Sequence, residues 1–250
     1  MNAIDLDDEN TLPKELLAVL SDRAWQLKEE SDKELKFADT RWSRSVVTPV
    51  TDSTFKEIFH IIEPLEIRAY HCTRLFNPSK ILTTGLRLLT PEMHKEILTE
   101  ALEATNCTTE EMKLVFKLLH DFQEKGNYKN REGQVCFILS RKMAEYRDDC
   151  EVFFKQVGGE ATKKALSGQG DSILSKLSSI GTPVLVDCVL PIKDAADYQV
   201  DNLVKWFIQY GIEKFVEKRK FSFYCEMFVK HEVGKNLIQD VLEVKSFDNY

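Results

Sequence analysis

The chain has 250 residues, 43% of them hydrophobic and 30% charged, with a formal net charge of -7. That composition supports a sizeable buried core and excludes the disordered class of low hydrophobicity and high net charge. The acidic balance argues against a surface shaped as a whole for phosphate backbones, and no apolar run approaches the roughly 20 residues of a membrane helix.

The opening "MNAIDLDDEN" is acidic, unlike a signal peptide or a transit sequence, so a cytoplasmic location without membrane contact is expected. Thr11 is placed to cap, and Pro13 to start, a helix running to about Phe37. Leu16, Leu17, Leu20 and Leu27 lie on one side of it and "KEESDKELK" on the other. "TRWSRSVVTPVTDS" reads as a linker, in which Trp42 between Arg41 and Arg44 either pins the linker to the core or stacks on a base. "STFKEIFHIIEP" predicts a short helix opened by Asp52 or Ser53 and stopped by Pro64. Residues 1–64 are therefore expected to form a helical extension with its linker, and residues 65–250 the main domain.

"LEIRAYHCT" alternates as a strand, Asn77 and Pro78 open the helix "PSKILTT", and Gly85 ends it at a position favouring positive φ. A helix starts after Thr90, and another opens with the capping box Thr108/Glu111 and is expected to end at Gly126. After the polar loop "GNYKNREG", "QVCFILS" reads as a buried strand and "RKMAEYRDDCEVFFKQVG" as one helix. A helix over about 171–179, the strand "PVLVDCVLP", the helix "DNLVKWFIQYG", the long strand "KFSFYCEMFV" and a last strand near the C-terminus follow. Strands and helices mix without regular alternation, so the fold class is α+β.

There is no P-loop, no Gly-rich dinucleotide fingerprint, no G-x-S-x-G and no H-E-x-x-H, which argues against ATP-driven phosphoryl transfer and Rossmann-type hydride transfer. The six cysteines have no C-x-x-C spacing and read as buried free thiols, with no metal site expected. Two residues attract chemical interest. His71 ends an early strand, where a core or turn histidine is the plain alternative. Glu226 sits among Phe221, Phe223, Tyr224, Met227 and Phe228, where a carboxylate needs partners or a cleft, unless it marks the polar face of a half-exposed strand.

Three blocks in order, "YHCTR…ILTTGLRLLTPE", "GQVCFILSRKMAEY" and "YCEMFVKHEVGKNLIQDV", together resemble the ADP-ribosyltransferase superfamily, in its poly(ADP-ribose) polymerase and diphtheria-toxin branch. The resemblance implies a split mixed or antiparallel sheet with flanking helices and NAD as co-substrate, without a metal. It implies that His71 hydrogen-bonds a ribose hydroxyl and that the backbone of Cys72 and the hydroxyl of Thr73 hold the nicotinamide carboxamide. Arg74 would approach the pyrophosphate, and Cys136, Phe137 and Tyr146 would wall the nicotinamide. Glu226 would stabilise the oxocarbenium-like cation as the glycosidic bond breaks.

The pattern departs from the family at Cys72, where glycine is usual, and at Cys136, where a tyrosine is usual. The first implies a tighter approach of nicotinamide to the backbone, and the second, with no long insert of the polymerase type, favours single transfer over polymer elongation. The acceptor implied is a macromolecule, protein or nucleic acid. Lys214, Lys218, Arg219 and Lys220, just ahead of Glu226, either face it or form a solvated turn. An inhibitor or antitoxin protein is a possible partner, because a small transferase of this build suits a bacterial toxin or defence effector. NAD hydrolysis, RNA 2'-phosphotransfer and a degenerate nucleotide- or partner-binding module are the alternatives on the same fold.

Overall fold

The computed structural model describes residues 3–37, 52–124, 126–129, 131–146, 148–195, 197–219 and 225–244. In chain order its elements are α1 (Lys14–Phe37), α2 (Asp52–Ile62), β1 (Glu66–Leu75), α3 (Pro78–Thr84), α4 (Pro91–Ala104), α5 (Thr109–Gln123) and α6 (Gly126–Lys129). There follow β2 (Val135–Ile138), α7 (Arg141–Tyr146), α8 (Asp148–Lys155), α9 (Gly159–Leu166), α10 (Asp171–Ser178), β3 (Thr182–Pro191), α11 (Asp197–Gly211), β4 (Glu226–Val229) and β5 (Ile238–Glu243). The class is α+β, as expected, with one sheet in the order β4-β2-β1-β3-β5.

The chain divides into two compact units, one of residues 1–68 with 190–227 and one of residues 69–189 with 228–250. The expected boundary at residue 65 therefore does not describe the packing: the N-terminal helices share a unit with α11 instead of standing as an appendage. In this first unit α1 packs on α11 and on a π-helical stretch, Ile212–Glu217, while α2 packs on α1 and α11. Leu16, Leu20, Ala24 and Leu27 recur every three or four residues and are buried, as the apolar stripe of α1 predicts. Gly211 lets the helices approach closely, since a Cβ there would lie 3.1 Å from the Leu20 Cβ. Thr11 does not cap α1. Its hydroxyl donates to the carbonyls of Asp5 and Asp8 and accepts from the Asp5 amide, so it ties the N-terminal turn to itself. Ile4 then bridges Ile67 in parallel, exchanging bonds with Glu66 and Arg68.

The second unit holds most of the sheet and a helical layer. Tyr70 pairs antiparallel with Ile138, and β3 pairs antiparallel with β5 across a bulge at Asp187/Cys188. The helical layer closes on Leu98, Ala101, Leu102, Val115, Leu119, Val157, Leu166, Ile173 and Leu177, all buried. The Thr108/Glu111 capping box forms with both reciprocal bonds, at 3.2 and 2.8 Å, and Lys176 on α10 reaches the same carboxylate at 2.7 Å. Gly85 ends α3 at φ +82°, where a Cβ would come within 2.3 Å of the Val233 carbonyl. Only glycine fits that approach.

One expected element differs, and two are described in part. The helix α5 ends at Gln123, and residues 126–129, read as polar loop, are helical because Tyr128 turns inward and is buried. The helix expected over 141–158 is described as α7 and α8, with residue 147 between them outside the described residues, and it ends at Lys155. Of the long strand "KFSFYCEMFV", β4 accounts for Glu226–Val229, and residues 220–224 lie outside the described residues, as do Arg41, Trp42 and Arg44 of the linker.

Candidate functional site

The apolar alternation of β1 makes it a strand buried on both sides at its centre. Ile67, Ala69, Tyr70 and Cys72 are buried, and His71, Thr73 and Arg74 are half-buried. Because successive side chains of a strand point to opposite faces, His71 and Thr73 share one face and Cys72 and Arg74 the other.

On the first face the structure brings together the His71 ring, the backbone carbonyl of Cys136 and the Phe137 ring. The His71 Nδ1 lies 2.9 Å from the Cys136 carbonyl oxygen, and its ring meets the buried Phe137 ring edge-on at 5.9 Å. A carbonyl can only accept, so Nδ1 carries the proton, and in the neutral ring Nε2 is then an acceptor. Burial holds the His71 pKa below its usual 6.5, opposed by the bond to Cys136, so the neutral ring is the favoured form. The arrangement presents an imidazole acceptor beside an aromatic ring, at the sixth of the ten residues of β1 and not at the strand end the sequence suggests, and it suits a hydroxyl-bearing ligand.

On the second face the residues serve the fold. Arg74 donates through Nε to the Ile180 carbonyl at 2.7 Å and through Nη1 to the Phe154 carbonyl at 2.9 Å. Two of its donors are therefore engaged by backbone, and an approach to pyrophosphate from the His71 face is not what this geometry shows. Cys72 meets Cys150, and their contact, followed by burial, raises the Cys72 thiol well above its usual range. Spacing explains why both contacts form: positions 72 and 74 lie one pleat apart on β1, and 150 and 154 one turn apart on α8, so strand and helix run in register. The role the resemblance implies for Cys72 runs through its backbone, which its buried side chain does not affect. Tyr146 ends α7, and its side chain lies outside the described residues.

Glu226 opens β4 and is half-buried between the buried Cys225 and Met227. The expected alternation holds over Cys225–Val229, with odd positions buried and even ones half-buried. Burial, with the Glu226 charge second, pushes the Cys225 thiol up to about 12. Of the cations ahead of Glu226, Lys214 binds Glu9 at 2.5 Å, and Arg219 binds Glu213 at 2.9 Å and also Glu217. Lys220 lies outside the described residues.

Two buried polar groups escaped the reading of the sequence. Asp187 is 1% exposed in the middle of β3, and an aspartate inside "PVLVDCVLP" is the same signal that singled out Glu226. With Tyr70 it adds to the effect of Glu145, the main influence raising the Arg141 pKa. The other is His94, 1% exposed on α4, whose helical context carries no comparable sign. Among the described residues no group of three or more His, Cys, Asp or Glu could hold a metal, and no helix is long and apolar enough to cross a membrane. No family model, curated protein or solved structure matches the chain.

Proposed function

We propose that the protein is an NAD-consuming mono-ADP-ribosyltransferase that acts on a macromolecular acceptor. The observation that carries this reading is the His71 imidazole, neutral and held by the Cys136 carbonyl so that Nε2 can accept a ribose hydroxyl beside Phe137. Thr73, on the same face of β1, would meet the nicotinamide carboxamide.

In the proposed step the bond between the ribose anomeric carbon and the nicotinamide nitrogen breaks, and nicotinamide leaves with the electron pair. Glu226 stabilises the cation that develops on the ribose. The acceptor oxygen or nitrogen then forms the new bond at the same carbon, and its proton passes to Glu226 or to water.

A second reading, a nucleotide-binding module of the same fold without turnover, is favoured by one observation: Arg74 is committed to the Ile180 and Phe154 carbonyls. Labelled NAD incubated with the protein and a lysate separates the two, with protease and nuclease digestions run side by side. Label in macromolecules supports transfer, free ADP-ribose supports hydrolysis, and intact NAD that is nevertheless bound supports the module. Glu226→Gln is expected to lower turnover on the order of 10²-fold or more while NAD still binds. Undiminished turnover in that variant rules out the role given to Glu226.

A further inference from the structure

Within the helical layer of the second unit, four elements meet at one imidazole. His94 stands in the first turns of α4. Its Nε2 lies 2.9 Å from the hydroxyl of Thr162 on α9, and its ring stacks parallel to Tyr128 of α6, with centroids 6.1 Å apart. The loop before α9 closes the fourth side. Gly158 sits at φ +81°, and a Cβ there would stand 2.1 Å from the Thr162 hydroxyl and 3.1 Å from the imidazole Nε2. His94 and Tyr128 are 1% exposed and Thr162 is 0% exposed, so the assembly is sealed.

The neutral ring suits this enclosure and the charged ring does not. Thr162 can satisfy Nε2 in either tautomer, whereas the buried Nδ1 has no hydrogen-bond partner among the described residues. An imidazolium carries N–H on both nitrogens and a charge besides, which a sealed site cannot accommodate without a nearby anion. Charged residues next to the cluster in sequence include Glu92 on α4, Arg131 and Glu132 after α6, and Glu160 on α9. Glu160 is bound to Arg131 at 2.8 Å and to Lys164 at 2.5 Å. Glu132 and Glu92 act on the Tyr128 phenol, which burial first and foremost pushes up to about 12. Gln123 lies close enough to Tyr128 to favour its phenolate, yet the two do not meet hydrogen-bond geometry. Burial is what acts on His94 itself, and it takes the ring from 6.5 down to about 4.

We propose that His94 is an acid-sensitive latch that holds α4, α6 and α9 together while neutral and releases them when it takes up a proton. The sign follows from linkage. The folded ring binds its proton more weakly than the opened ring, so the latch is at full strength above pH about 6.5. It weakens as pH falls from there towards about 4. At pH 5 the opened ring is largely protonated and the closed one largely neutral, which shifts the local opening equilibrium by about 30-fold relative to pH 7.5.

Backbone hydrogen exchange on the full chain at pH 7.5 and pH 5, corrected for the intrinsic pH dependence, reads this directly. Opening of residues 91–104 and 159–166 is expected to rise about 30-fold in the unaltered protein and to stay within about twofold in His94→Gln. Amides of β1 and β3 are expected to respond alike in both proteins. An equal rise in both proteins, or the same rise throughout the sheet, overturns the proposal. A second measurement does not depend on the variant folding: exchange at the His94 ring carbon between the nitrogens, followed against pH by mass spectrometry. A midpoint below about 5 is expected, and one at 5 or above overturns the latch.

Discussion

His71 and His94 are both imidazoles that burial drives toward the neutral form, yet their surroundings make them opposites. His71 lies on a strand, spends one nitrogen on the carbonyl of the neighbouring strand, and keeps a half-buried face beside Phe137. His94 lies between helices, spends one nitrogen on a threonine, and is closed off on every side. The lesson is that desolvation alone does not mark a site. What separates a ring positioned to meet a ligand from one that locks packing is whether its second nitrogen has anything to meet.

The comparison can be broken most sharply at Gly158. Replacing it by alanine forces a Cβ into the Thr162 hydroxyl at positive φ, so Gly158→Ala is expected to destabilise the protein by about 3 kcal/mol or more. Urea unfolding measures this, and NAD affinity of the folded fraction should not change. A loss under about 1 kcal/mol would show that the His94 cluster is looser than described.

Next comes Arg74, on the face of β1 turned away from His71. Arg74→Ala removes two hydrogen bonds from a charged donor to partly buried carbonyls, with an expected loss of about 2 kcal/mol in the same unfolding measurement. If Arg74 instead contacts pyrophosphate, the variant would lose NAD affinity while keeping its stability.

A smaller effect on stability, about 1 kcal/mol, is expected from His71→Ala, which gives up one hydrogen bond at a half-buried site. Its NAD affinity, read by calorimetry, should fall about tenfold, whereas His94→Gln should leave affinity intact at pH 7.5. The two histidines would then trade roles between the two assays, and any variant that moved both equally would erase the distinction. The pH profile sharpens it. Because the folded His71 pKa is below 6.5, NAD affinity should hold as pH falls through 6.5 and decline only below the folded value, where Nε2 gains a proton and ceases to accept.

The smallest effect belongs to the first unit. Tyr210 and Lys214 both donate to Glu9, at 3.0 and 2.5 Å, and Lys214 with Tyr210 hydrogen-bonding holds the Glu9 carboxyl below its usual range. Glu9 is largely exposed, so Glu9→Gln is expected to change stability by under about 1 kcal/mol and to lose even that in high salt.

Much of the architecture was legible along the chain because its causes are local. The stripe of Leu16, Leu20 and Leu27, the Thr108/Glu111 box, the break at Gly85 and the apolar run of β3 each act within a few residues. Where reading failed, the deciding contact came from elsewhere. The sequence predicts a cap at Thr11, whose hydroxyl instead turns back to Asp5 and Asp8. "GNYK" reads as loop in sequence because its one apolar residue, Tyr128, finds its stacking partner on another helix. The same holds at the candidate site. His71, Cys136 and Phe137 were read from their motif and lie together, while Arg74 has the right chemistry for an anion but the opposite strand face.

By itself the sequence determined the α+β class, most helix ends and the buried alternation around Glu226, since each depends on periodicities of two or 3.6 residues that a linear pattern carries. Tertiary structure decided which strand lies beside which, that the N-terminal helices share a unit with α11, and which of two desolvated histidines is sealed. Those outcomes depend on contacts between positions far apart in the chain, such as His71 with Cys136 and His94 with Thr162, and no local pattern encodes them.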